Sequence, residues 1–324
     1  MGVNTSIEWT NSSWNCIRGC SRASEGCRFC YAESIAYRFS GEGLPYEGLA
    51  VLKNGHPSWT GQIDWIDEHW EDPLRWTKPR KIFVNSMSDL FHEKVPDLWV
   101  DDVFAVMQHC QARGHIFQIL TKRPKRMLEY FNNPDLYLRL MDRVNYVRGR
   151  WPKIPVTAFS DPKTFPLRNV WLGVSTEDQR AADERIPLLA QCPAAVRFIS
   201  AEPLIGPIDL EWPKTFYPDG PRMCCSGLDC GCHGLPVDLP LWYGLHLVIA
   251  GGESGTHAHP CNVDWISSIV SQCKQWNVPV FVKQLGSHVI QGGERRIKKD
   301  SKGGDMSEWP HEIRIRQFPK EAQL

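Results

Sequence analysis

Six short apolar runs constrain the fold of this chain most: Ile82–Asn85, Ile116–Leu120, Val170–Val174, Val196–Ile199, Leu247–Ala250 and Val278–Val282. Stretches of helical spacing lie between them, at Leu98–Arg113, Gln179–Gln191 and Val263–Trp276. Buried strands separated by amphipathic helices are the signature of βα units around a parallel sheet. An earlier run, Ile7–Thr10, is a further strand expectation. The expected fold class is α/β, a partial (β/α) TIM-type barrel of six to seven parallel strands with insertions. A length of 324 residues accommodates one such domain, and 1–324 is read as a single one.

Two segments break the rhythm. Residues 37–80 are too long for an ordinary βα connection and read as an insertion or lid, while 210–243 are rich in Pro, Gly and Cys. A polar, basic extension covers 287–324 and ends in a candidate short strand, Ile313–Phe318.

The residues directly after each run matter for function, because the carboxyl ends of barrel strands share one face and the active site is built there. The ends read Asn85-Ser86-Met87-Ser88-Asp89, Thr121-Lys122-Arg123, Ser175-Thr176-Glu177, Ser200-Ala201-Glu202-Pro203, Gly251-Gly252-Glu253-Ser254-Gly255 and Lys283-Gln284. Lys122 and Lys283 are the candidate catalytic residues, and Gly251 and Gly252 are candidates for close approach to a ligand. The basic stretch from Lys122 to Arg126 suits either a solvated helix start or a phosphate-binding edge.

Near the start stand four cysteines, Cys16, Cys20, Cys27 and Cys30, within fifteen residues. Thiolates are soft ligands for iron–sulfur clusters or zinc. Three of them hold three irons of a [4Fe–4S] cube and leave the fourth iron open; four satisfy tetrahedral zinc. A second group, Cys224, Cys225, Cys230 and Cys232 with His233, is a candidate second metal site for zinc or an auxiliary cluster. Cys110, Cys192, Cys261 and Cys273 read as buried small hydrophobes. The tryptophans Trp9, Trp14, Trp59, Trp65, Trp70 and Trp76 crowd the first quarter, where some are candidates to line a substrate cleft.

Lys+Arg and Asp+Glu both count 37, so there is no global pull toward nucleic acid or membrane, although a local basic groove is compatible with this balance. No apolar run reaches bilayer-spanning length and Met1–Glu8 lacks a signal pattern, so the expectation is a cytoplasmic protein without a membrane partner.

Cys27-Arg28-Phe29-Cys30 resembles the second half of the C-x3-C-x2-C motif of radical S-adenosylmethionine (SAM) enzymes, including the aromatic before the last cysteine. Cys20 lies seven residues before Cys27 where that motif has four. Over most of its length the chain resembles a phage- and bacteria-associated family of uncharacterised proteins with a three-cysteine motif, relatives of radical SAM enzymes. The matching segments run from Ile7-Glu8-Trp9-Thr10 through Gly19-Cys20, Cys27 to Glu33 and Asn85 to Phe91. They continue through Leu120 to Pro124, Leu172 to Ser175, Ser200 to Leu204, Gly251 to Gly255 and Val282-Lys283-Gln284.

That resemblance implies a [4Fe–4S] cluster on Cys20, Cys27 and Cys30, bound SAM, and a reductant protein such as flavodoxin or ferredoxin. A looser similarity to the spore photoproduct lyase branch lies in Ser88-Asp89 and Leu120-Thr121-Lys122. It implies that Ser88 and Asp89 face SAM's amino group, that Ser175, Glu202 and Glu253 contact its carboxylate and ribose, and that the substrate is a nucleic acid or nucleotide. A zinc-stabilised nucleic-acid-binding protein without redox chemistry, and a degenerate barrel with a structural cluster, are the alternatives.

Overall fold

In a computed structural model of the protein, residues 5, 7–154, 166–211, 241–296 and 298–320 are described. Seven short segments form one all-parallel sheet: β1 (Ser12–Trp14), β2 (Lys81–Val84), β3 (Ile116–Thr121), β4 (Val170–Ser175), β5 (Val196–Ala201), β6 (Leu247–Gly251) and β7 (Val280–Gln284). Their order across the sheet is their order in the chain. A doubly wound sheet reverses its strand order at a switch point; this sheet never does, which is the winding of a (β/α) barrel. With helices flanking seven such strands, the fold class is the partial barrel expected from the sequence.

Every residue of β4 and of β6 is buried, the pattern of parallel strands covered on both faces. The first strand does not form at Ile7–Thr10. Thr10 N–H donates to Ile7 O in a turn, and pairing begins at Ser12 opposite Ile82, one residue after Asn11 receives the Lys81 N–H on its side chain. Apolarity pointed at the wrong segment because Trp9, though buried, sits in that turn.

The longer helices among the described residues are α1 (Tyr31–Arg38), α2 (Asp97–His109), α3 (Pro124–Phe131), α4 (Leu136–Arg150), α5 (Gln179–Ala190) and α6 (Val263–Gln275). Asn262 caps α6 by accepting from Asp264 N at 3.0 Å. Helix α4 lies on α2 through buried acids: Asp101 accepts from Arg139 Nε at 2.9 Å and Asp102 accepts from Arg143, while Tyr130 Oη of α3 donates to Asp101 at 2.7 Å.

By contacts the chain divides into two compact units, one of residues 1–174, 191–197 and 320–324, the other of 175–190 and 198–319. In the first unit, the 37–80 insertion is ordered structure. A hairpin, Ala50–Lys53 with His56–Trp59, turns at Asn54 and Gly55, both at positive φ. It closes a small core of Ala32, Ala36, Tyr46, Leu49, Ala50 and Met87, with Cys30 and Trp59 packed against it. Trp9, Trp14 and Trp70 are buried, so these three serve the core rather than a cleft.

In the second unit, Ile313–Phe318 falls short of the expected strand. Its hydrogen bonds from Val282 N to Ile315 O and from Gln317 N to Val280 O give a single bridge beside β7. The ladder stops because Ile315 N turns back onto Ile313 O and the Arg314 side chain is drawn to Ser307 O and Trp309 O. The cysteine group Cys224, Cys225, Cys230, Cys232 and His233 lies outside the described residues.

Candidate functional site

In the first unit, three neighbouring strand ends, those of β1, β2 and β3, deliver their next residues to one place. β1 leads through Ile17–Arg18 into the cysteine loop. Gly19, directly before Cys20, has φ +91, and a Cβ there would stand 2.1 Å from Gln62 O, so only glycine fits the entry to the loop. The segment after β2 braces this entry. Asn85, at φ 58, accepts from Ile17 N at 3.3 Å; Ser88 Oγ donates to Ile17 O at 3.0 Å, and Gly19 bridges Ser88. Tyr31 Oη donates to Ser86 O at 2.9 Å.

The loop is held at both ends by buried charge. Glu33, 1 % exposed at the start of α1, takes a two-pronged bond from Arg22 at 3.0 and 2.7 Å and also accepts from Trp59 N at 3.1 Å. At the other end Arg123 spends its whole guanidinium. Nη1 donates to Asp89 at 3.0 Å and reaches Cys20 Sγ at 3.9 Å; Nη2 donates to Ser21 O and Oγ, each at 2.9 Å; Nε meets Glu93 at 2.9 Å.

Asp89 is also fully used, accepting from Thr121 Oγ1 at 2.7 Å, Phe91 N at 3.0 Å and Lys122 N at 3.1 Å besides Arg123. The adjacency of the β2 and β3 ends makes these contacts. Ser21 Oγ lies 2.8 Å from His92 Nε2, and His92 Nδ1 accepts from Lys94 N at 3.1 Å. Burial, with the Arg123 charge next, lowers the His92 pKa, so the ring is neutral with its proton on Nε2, donated to Ser21.

Cys20, Cys27 and Cys30 are free, half-buried thiols. Burial pushes Cys20 up to about 12, with the Asp89 charge adding and Arg123 opposing; Cys30 and Cys27 also act on it. Cys30 is pushed up to about 11 by burial, then by Cys27. Cys16 stands apart: it is fully buried, and after burial and its own backbone the charges acting on its thiol are those of Asp102 and Asp72. Its Sγ lies 3.7 Å from Asn85 Oδ1.

Among the described residues, no group of three or more His, Cys, Asp or Glu side chains is gathered closely enough to grip an ion as it stands. What fits a cluster is the donor chemistry: three unbridged, half-buried thiols on one loop. Neutral thiols have no cause to converge, and a bound cation both ionises such groups and draws them together.

The second unit gathers a different group. The ends of β5, β6 and β7 bring Glu202 to 3.2 Å from Lys283 Nζ, with Ser200 Oγ at 3.3 Å from the same carboxylate. Gly251 sits where the β6–β7 register shifts, and a Cβ there would stand 2.7 Å from Glu202 Oε1, so the missing side chain makes room for the carboxylate. Gly252 is pressed against Leu285 O in the same way, at 2.2 Å. Glu253 is engaged by His259, accepting from its backbone N at 2.9 Å and lying 2.7 Å from Nδ1. Ser175 is buried, its carbonyl accepting from Arg185 at 2.8 Å, while Arg185 also pairs with buried Glu177.

The structure places Cys20, Ser88, Asp89 and Lys122 in the first unit and Glu202, Gly251 and Lys283 in the second. Sequence reasoning missed Arg22, Glu33, Ser21, His92 and Glu93. It also read Arg123 as part of a basic edge, whereas the side chain is 7 % exposed and committed to acids. The available signal was Pro124: the residue before a proline is held out of the helical region, which aims Arg123 back across the strand ends.

A sheet of partial-barrel class with a thiol loop at its first strand end defines the kind of protein this is. The chain belongs to the family described as a protein of unknown function (DUF5131), whose model matches residues 4–312. No curated protein and no solved structure matches it.

Proposed function

We propose that this protein is a radical SAM-type enzyme, with a [4Fe–4S] cluster held by Cys20, Cys27 and Cys30 and a nucleic acid or nucleotide as substrate. The observation that carries the reading is the separation of the cysteines into three plus one: three half-buried free thiols on one loop, and Cys16 fully buried beside Asn85. Three ligands leave a cube one open iron, whereas a structural zinc site needs four. When bound, the cluster supplies the electron that opens the sulfonium of SAM.

The chain's own residues have separable tasks. Arg22–Glu33 and Arg123–Asp89 fix the two ends of the loop, so Cys27 and Cys30 are presented on a braced segment. Ser88 and Asp89 are spent on that bracing, so in this reading they act on the cofactor through the loop. In the second unit, Glu202 and Lys283 pair with each other at 3.2 Å. The substrate class is supported by Tyr31, Tyr37 and Phe39, exposed 51 %, 37 % and 42 % on and just after α1, with Arg38 over the Phe39 ring at 5.7 Å. Exposed aromatics beside arginine hold unstacked bases. The reductant is a small electron carrier of the flavodoxin or ferredoxin kind. Among the described residues no helix is long and apolar enough to cross a membrane.

The test is anaerobic purification with iron, sulfide and zinc analysis, then a dithionite-reduced spectrum with and without SAM. Near four irons and four sulfides per chain, a spectrum that responds to SAM, and loss of SAM cleavage in Cys27→Ser and Cys30→Ser are expected. Stoichiometric zinc without iron in fresh protein, or SAM cleavage retained in either variant, overturns the reading.

A further inference from the structure

We propose that Arg123 is a positioning residue that sets the reduction potential of the cluster through Cys20; this rests on the cluster reading above. The guanidinium stands within reach of a loop thiol, its Nη1 lying 3.9 Å from Cys20 Sγ. The side chain is 7 % exposed, so its charge is poorly screened and acts strongly on a neighbouring sulfur. Its aim is over-determined. Asp89 holds one edge of the guanidinium, Ser21 O and Oγ the next, and Glu93 the third. Ser21 is in turn held by His92, so the residue after Cys20 is tied to the same group that faces its sulfur.

A cluster gains one electron on reduction, with no bond made or broken, and becomes more negative. Hydrogen bonds and positive charge at its sulfurs favour that reduced state and raise the potential. The acids around Arg123 work in opposition, unequally. Asp89 is buried beside it, while the Glu93 side chain is 65 % exposed and screened by water. Removing the guanidinium therefore leaves Asp89 facing Cys20 uncompensated, and removing Glu93 leaves Arg123 with more of its charge.

The experiment is a dithionite titration of full-length protein, followed by electron paramagnetic resonance without SAM, on wild type, Arg123→Lys, Arg123→Gln and Glu93→Gln, with iron measured in each. Arg123→Gln is expected to lower the reduced-to-oxidised ratio at a fixed poise about tenfold, a shift of about 59 mV for one electron. Arg123→Lys, which keeps the charge and loses the fork, should fall between it and wild type. Glu93→Gln should shift the ratio the other way.

A purely mechanical role for Arg123 would alter iron content without moving the potential of the iron retained. Potentials equal to wild type in iron-replete Arg123→Gln and Glu93→Gln overturn the inference. Should Arg123→Gln emerge without iron, Glu93→Gln decides: a raised potential supports the inference and an unmoved one overturns it. Wild type without iron removes the cluster reading, and this inference with it. Iron in wild type with unmoved variants overturns this inference alone.

Discussion

Arg123 and Asp89 form an ion pair at 3.0 Å with both side chains under one-tenth exposed, tying the end of β3 to the segment after β2 beside Cys20. Breaking such a pair by deleting one partner strands the other charge in the interior, which costs far more than the intact pair contributes. Asp89 also accepts from Thr121, Phe91 and Lys122, so Asp89→Ala orphans three further donors. The expected loss is about 3–5 kcal/mol, read as a fall in the urea midpoint. A midpoint within about 1 kcal/mol of wild type would show that the pair carries no such weight.

Gly19→Ala should damage the loop locally. The added Cβ meets Gln62 O at 2.1 Å and the backbone must hold φ +91, so the entry to Cys20 has to shift. Steric and conformational costs together exceed about 1 kcal/mol. The sensitive readout is the rate at which a thiol reagent titrates the native protein, because half-buried Cys20, Cys27 and Cys30 become accessible when the loop loosens. An unchanged rate with an unchanged melting temperature would mean that the loop tolerates the side chain.

The strand runs were legible because buried parallel strands are almost continuously apolar, as β4 and β6 are. The thiol loop was legible because cysteine is chemically distinctive wherever it stands. Arg123 was not. In sequence it belongs to a basic stretch, and only the side-by-side placement of the β2 and β3 ends shows that Asp89 and Glu93 absorb its charge. Arg126 is likewise drawn to Asp97, so two cations of the expected phosphate edge are already paired. The first strand was misplaced for a related reason: Ser12 and Ser13 look like loop, and their pairing with Ile82 and Phe83 depends on a partner about seventy residues away.

Cys16→Ala separates the fourth cysteine from the other three. The thiol is fully buried with Asn85 beside it, so truncation should cost about 1–2 kcal/mol in stability and leave bound metal per chain unchanged. A zinc site built on all four cysteines predicts the reverse, with metal lost together with the fold. Measuring metal content and the urea midpoint on the same preparation discriminates the two.

Stability against pH should carry the mark of Asp102. Burial raises its pKa from 3.8 to about 6 despite Arg143, with Asp101 and Glu71 adding like charge. The folded form therefore holds a proton that the unfolded chain has released between about pH 4 and 6. With more protons bound in the native state over that window, stability falls as pH rises through it, by at most roughly 3 kcal/mol. Asp102→Asn cannot ionise and should lose this slope. Buried His92, His109 and His115, whose pKa values burial lowers, act in the opposite sense but titrate alike in both proteins and cancel in the difference. Urea midpoints at pH 4.5 and 7 for wild type and variant supply the comparison. Parallel curves would mean that Asp102 ionises as readily in the fold as out of it, and that the Arg143 contact offsets its burial.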